Sequence, residues 1–292
     1  MRPRRRSPTP PPRARRNVGR RRRRPVPVSP SRPMIYRPPE RRSRLADWSR
    51  TLGAFAVPLL VIAVIGHRFG RFATDPAVVL VACAFALAAL ALLCGLAALA
   101  VIWRDGRPGA GHAVVGLIWA ALVLTPAAAL VWQWVAHPRL VDLSTDALDP
   151  PLFHAAAFER AGRANTVRPP DSEERARLRA LVPDVVSRRY SIGSDLLFSV
   201  VRRQVEAEGW TVAELQAPRG DGDRGRIEAV ARSLIFGFRD DVVLRVLPEP
   251  SGARIDLRSS TRWGIHDLGR GARRIRAFLE DLDKAVVDTY GR

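Results

Sequence analysis

From Ala77 to Trp103 the chain runs for 27 residues without one charged side chain, longer than any apolar run an ordinary globular core uses. At roughly 1.5 Å per residue this is about 40 Å of helix, enough to cross a hydrocarbon layer about 30 Å thick. A second run, Ala113 to Val135, has 23 residues with Gln133 as its only strongly polar side chain. Pro126 inside it kinks a membrane helix without forbidding it. The run Thr51 to Gly66 has 16 residues; at about 24 Å it crosses only if Arg50 snorkels or the bilayer thins. It reads as a third span, with a re-entrant segment as the alternative. Trp48, Trp103, Trp132 and Trp134 fall at or near the ends of these runs, where amphipathic rings favour the headgroup level. Residues 51–135 are thus predicted to be a three-helix transmembrane region, with spans at about 51–66, 77–103 and 113–135.

Charge sets the orientation. The 292 residues carry a net +20, but residues 1–50 alone hold 18 Arg against Glu40 and Asp47. Residues 51–135 and 136–292 are each only +2. A uniformly basic nucleic-acid-binding fold is therefore excluded, since the part that reads as globular lacks the footprint. Arg and Pro with little else cannot bury enough apolar surface to offset ordering entropy, so residues 1–50 are expected to be a disordered cytoplasmic tail. Such a tail attracts the anionic lipid of the inner leaflet, and nucleic acid equally well. A start at Met34 would remove 13 Arg and lower the net charge to +7. No cleavable signal peptide is apparent. With the tail inside and three spans, Arg68 and Arg71 lie outside, Arg104 and Arg107 inside, and everything after Val135 outside. The expected location is a bacterial inner membrane, multi-pass, with an extracytoplasmic C-terminal domain; a re-entrant first segment would reverse the side of that domain. The composition, 47 Arg to the single Lys284, is what a GC-rich bacterial genome encodes. Cys83 and Cys94 lie in one apolar run, about 16 Å apart along a helix, and form no disulfide framework.

Residues 136–170 are rich in Pro and Asp and read as an extended connector. Residues 171–292 then show regular periodicity. Helices are predicted at Ser172 to Leu181, at Asp195 to Glu208 with Leu197, Val200, Val201 and Val205 on one face, and at Leu268 to Tyr290 with Ile275, Phe278, Leu279, Leu282 and Val286 at helical spacing. Four strands are predicted, around 210–216, 226–232, 241–247 and 254–260, divided by Gly, Asp and Pro clusters. The fold class is α+β, a four-stranded antiparallel sheet with one face buried beneath helices. Alternation places Ile227, Ala229, Ala231, Val242, Leu244, Val246, Ile255 and Leu257 on the inner face. Glu228, Arg232, Arg245, Arg254, Asp256, Arg258 and Ser260 are left on an outer face. Several arginines on one face suit an anionic ligand, because guanidinium forks match carboxylate and phosphate; cross-strand pairing with Glu228 and Asp256 is the structural alternative.

The run from Arg258 through Gly269, RSSTRWGIHDLG, followed by Arg273, Arg274 and Ile275, resembles the bacterial domain-of-unknown-function 1499 family, whose signature looks like R-S-x-S-R-x-G-x-x-D-x-G before a terminal helix. Thr261 stands for the second Ser, and Gly271 where an Asn is expected. The segments Phe238-Arg239-Asp240-Asp241, Asp142 to Asp146 and Asp149-Pro150-Pro151 are also similar to that family. Members with an N-terminal membrane region share this layout, so the resemblance covers roughly residues 34–292. It implies fold boundaries and no activity.

Within that signature Gly264 and Gly269 supply turns, Asp267 caps the last helix, and Arg258 and Arg262 project near its start, an arrangement suited to an anion. Asp240 and Asp241 either join this ligand site or neutralise its arginines. The preferred expectation is a membrane protein whose outer domain binds an anionic ligand or an envelope protein through Arg258, Arg262 and Asp267. An envelope-directed, hydrolase-like enzyme using Asp240, Asp241 and His266 is the alternative; a tail that tethers lipid or nucleic acid is the third. His266 reads otherwise as an exposed turn residue. Asp142, Asp146 and Asp149 lack the spacing of a calcium loop, the five histidines show no metal-ligand spacing, and no phosphate loop or nucleophile elbow is present, so no metal or cofactor is implied.

Overall fold

The computed structural model describes residues 43–160, 165, 167, 171–220 and 222–291. The expected tail lies outside the described residues as far as residue 42, and residues 44–50 already belong to a helix. Three helices are long and apolar enough to cross a membrane: α1 (Arg44–Arg68), α2 (Thr74–Asp105) and α3 (Ala110–Ala136). The short apolar run is thus the middle of a 25-residue helix, about 37 Å long.

Their packing is the inverse of a soluble core. Every buried residue of α1, α2 and α3 is Ala, Gly or Ser, with Val123 the one exception, while Phe55, Leu93, Ile118 and Trp132 point outward. Small residues let the backbones approach, and large apolar ones meet a surround as apolar as themselves. A Cβ on Gly116 would sit 2.2 Å from Ser49 Oγ, the hydroxyl that donates to Ala91 O at 2.8 Å and ties α1 to α2. The two ends of the bundle differ. At one, Ser43 N donates to Pro108 O at 3.4 Å and His112 Nδ1 lies 2.7 Å from Asp47 Oδ1. At the other, the turn between α1 and α2 and the end of α3 meet the C-terminal domain.

That domain is α+β, but its antiparallel sheet has six strands rather than four. The predicted ones are β3 (Thr211–Gln216), β4 (Gly225–Arg232), β5 (Arg239–Glu249) and β6 (Gly252–Thr261). Two three-residue strands, β1 (Asp142–Ser144) and β2 (Arg188–Tyr190), both pair antiparallel with β6, at 258–260 and at 253–255, and together cover its outer edge. The order is β1-β6-β5-β4-β3, with β2 on β6. Ile227, Leu244 and Leu257 stand opposite one another on one face and pack against α6 (Ser194–Ala207) and α7 (Arg270–Tyr290), where Leu197, Val201, Ile275 and Phe278 are fully buried. Before them, α5 (Ser172–Leu181) starts with a capping box between Asp171 and Glu174.

The other face is not open. Glu228, Asp256 and Arg258 are no more than 2% exposed, because the segment expected to be a plain connector crosses over them as a strap. It carries β1 and the one-turn α4 (Ala155–Glu159), and packs Phe153 and Ala156 on Val243. Glu228 holds the strap by accepting from His154 N at 2.8 Å, Ala155 N at 3.3 Å and Ala156 N at 2.6 Å, the unpaired donors of a helix start.

Candidate functional site

The signature residues divide between the two faces of the sheet. Arg258 forms a bidentate pair with Asp142, Nε to Oδ1 and Nη2 to Oδ2 both at 2.8 Å, donates to Pro151 O, and lies 5.1 Å from the Phe153 ring. Arg262 grips Asp241 on the same face, Nη2 to Oδ1 at 2.6 Å, and Arg160 Nε reaches the same carboxylate at 2.7 Å. Neither arginine projects toward the start of α7. Asp240 is on the helix face, 2.6 Å from Arg274 Nη2 and 3.4 Å from Arg270 Nη2. Asp267 accepts from Gly269 N and Gly271 N, each at 2.8 Å, at the first turn of α7. Gly264 and Gly269 have φ of 90° and 71°, the left-handed turns that favour glycine. The structure therefore brings Arg262 to Asp241, and Asp240 to the start of α7, but leaves Arg258 with Asp142.

His266 is buried rather than an exposed turn residue. Its Nδ1 accepts from Leu268 N at 2.8 Å, which puts the ring proton on Nε2, 3.2 Å from Trp134 O and 3.1 Å from His137 O. Nε2 joins the domain to the end of α3, while Nδ1 fixes the turn before α7. Asp240 and Asp241 are thus each paired with two arginines, and His266 is engaged with backbone groups. The connector acids are also engaged: Asp146 accepts from Leu148 N and Asp149 N as a turn, and Asp149 pairs with Arg245. No group of three His, Cys, Asp or Glu able to hold a metal occurs among the described residues.

A different place collects charge. Where the domain meets the turn between α1 and α2, a cleft of about 540 Å³ is lined by Arg68, Arg232, Arg239 and Arg262 together with His67, Phe72, Asp75, Phe238 and Trp263. That volume falls within the roughly 300–1,000 Å³ of small-molecule sites. A smaller cavity of about 210 Å³ is lined by Arg139, Arg177 and Arg258 together with the acids Asp142 and Glu174, and Arg258 is paired with Asp142.

The cleft is built by both parts of the chain. Arg68 Nη1 donates to Ser233 O at 2.9 Å, His67 Nδ1 is 2.6 Å from Phe236 O, and Trp263 Nε1 donates to Asp75 Oδ1 at 3.0 Å. Behind these bonds Phe236, Phe238 and Trp263 stack with ring centroids 5.6 and 5.9 Å apart. In front of them is a row of arginines. Arg232 is directly opposite Arg239 in the β4–β5 register, and Arg262 N donates to Arg239 O across the next strand pair at 3.3 Å.

Like charges directly opposite in a sheet are destabilising. Asp241 offsets Arg262, but Arg232 and Arg239 are exposed and make no ion pair with a carboxylate among the described residues. The other arginines of the expected outer face, Arg245 and Arg254, are balanced by Asp146, Asp149 and Asp256. The sequence placed Arg232 on the outer face and Arg262 beside the start of the last helix; register and docking bring them together with Arg239 and Arg68.

Residues 142–282 match the model of a family described as a protein of unknown function, DUF1499. The match begins at β1 and ends within α7, taking in the strap and the whole arginine row and none of the three long helices. No curated protein matches the chain.

Proposed function

Through its domain at residues 142–282 the chain belongs to the DUF1499 family, which is described by no activity, and from that premise we propose that it is an anion-binding membrane protein whose site is the arginine cleft at the helix ends. The observation that carries this reading is the row Arg232, Arg239 and Arg262 on adjacent strand ends, in which Arg232 and Arg239 make no ion pair with a carboxylate among the described residues. Such a row costs stability in the empty protein, and an anion with several acceptor oxygens removes the cost while filling the forks. Arg68 and the end of α1 close the cleft from the membrane side.

The domain is proposed to be extracytoplasmic. The N-terminal arginines precede α1 at the end of the bundle where Ser43 meets Pro108, and the excess of Arg favours the cytoplasm. The domain packs at the opposite end. Arg258, Asp240, Asp241 and Asp267 are assigned to the framework that holds the sheet, strap and α7 together, and Arg262 to the site.

The test uses full-length protein in neutral detergent at low salt. Inorganic pyrophosphate raises the unfolding temperature of the wild type. In Arg232→Gln/Arg239→Gln the ligand-free protein is as stable or more so and the response to pyrophosphate is lost. An unchanged response in that variant contradicts the reading.

A further inference from the structure

The cleft's surroundings identify the kind of anion. It is formed by the last turn of α1 and the first turn of α2, so it lies at the depth where an apolar helix gives way to the headgroup layer. The loop between β4 and β5 is pinned to that helix end through Ser233 O and Phe236 O. Between those two anchors Leu234 and Ile235 are 84% and 64% exposed. Phe69, the residue that ends α1, is 74% exposed, and Ile265, two residues beyond Trp263, is 69% exposed.

Large apolar side chains clustered on loops beside a charged cleft do nothing for a water-soluble ion. In a bilayer they extend the apolar surface of α1 up to the rim. The arginines then sit one headgroup above it.

Resting on the anion-binding reading of this cleft, we propose that the ligand is a lipid whose phosphate headgroup carries net negative charge, as in phosphatidic acid. Its phosphate oxygens are held by Arg232 and Arg239, with its acyl chains left in the leaflet beside Leu234 and Ile235. Arginine is the fitting residue because its planar fork donates two parallel bonds to two oxygens of one phosphate. The aromatic stack behind the row supplies a rigid apolar wall against the glycerol region. The loop of Leu234 and Ile235 is the entry side, since it is the part of the cleft rim that is both apolar and held at the helix end.

The experiment compares three probes on the full-length protein in neutral detergent by titration calorimetry. They are short-chain phosphatidic acid, glycerol 3-phosphate, which is the same phosphate without chains, and short-chain phosphatidylcholine. The expected result is that phosphatidic acid binds about tenfold or more tighter than glycerol 3-phosphate, and that Arg232→Gln/Arg239→Gln weakens it by about tenfold or more. Leu234→Asn/Ile235→Asn, two exposed positions whose change leaves the fold intact, reduces the preference for phosphatidic acid over glycerol 3-phosphate and leaves glycerol 3-phosphate binding as it was.

Equal binding of glycerol 3-phosphate and phosphatidic acid overturns the lipid inference and leaves the anion site standing. Binding of phosphatidylcholine as tight as phosphatidic acid, or no binding of any probe, overturns both. A preference unaffected by the Leu234 and Ile235 substitutions also overturns the inference, because the apolar rim then belongs to something other than the lipid.

Discussion

Asp240 and Asp241 are consecutive in β5 and serve opposite faces of the sheet, Asp240 paired with Arg270 and Arg274 of α7, Asp241 with Arg160 of the strap and Arg262. Each carboxylate is at most 1% exposed. Replacing either by Asn leaves buried guanidinium charge without its counter-ion, at a cost on the order of 3 kcal/mol. Because the two share no partner, Asp240→Asn and Asp241→Asn are expected to add, within about 0.5 kcal/mol, in the double variant. Denaturant unfolding of the four proteins checks this, and strong non-additivity would mean the two networks are one.

The strap depends on Glu228. Glu228→Gln keeps the volume but replaces one acceptor oxygen with a donor facing the N–H groups of residues 154–156. Hydrogen exchange is expected to speed up across residues 151–157, with β4 and the three long helices protected as before. Equal acceleration through the sheet would show the strap and sheet opening as one unit.

Much of this architecture was legible in the sequence, and the reasons differ by element. The long apolar runs are visible because a charge-free stretch of that length suits a bilayer and little else. Strands β4 to β6 and α7 are visible because one face of each is buried on one core, which writes alternation or helical spacing into them; β3, an edge strand with no buried residue, is visible from its residue types between turn clusters. β1 and β2 are not visible: three residues hold no period, and each exists only because β6 has a free edge. The covered outer face was also hidden, since a strap about a hundred residues earlier in the chain buries it. Sequence patterning put the start of β5 at 241 and the end of β6 at 260. Arg239 and Arg262 lie just beyond those limits, so the arginine row is a consequence of register that single strands do not disclose.

Burial and, after it, the hydrogen bond to Asp283 push the Tyr190 phenol well above its ordinary value. For a group raised in the folded state, the stabilising contribution is fully present below the ordinary value of about 10 and is lost as pH climbs toward the folded one. Absorbance titration of wild type and Tyr190→Phe is therefore expected to superimpose through the normal phenol range and to diverge only when alkali unfolds the domain. A phenolate lost from the normal range in Tyr190→Phe would contradict this burial.

The most direct test of the proposed site is whether the domain is held against the end of α1, because the cleft exists only through that contact. A Cβ added at Gly237 would lie 3.6 Å from Arg68 Cβ, within the roughly 3.5–4.5 Å of disulfides. Gly237 has φ +74°, so a cysteine there carries a strain of about 1–2 kcal/mol. In a Cys83→Ala/Cys94→Ala background, Arg68→Cys/Gly237→Cys is predicted to close a disulfide under mild oxidation. It is read as a mobility shift on a non-reducing gel that reductant reverses. Both thiols remaining free and open to labelling under the same oxidation would contradict the docked arrangement, and with it the site.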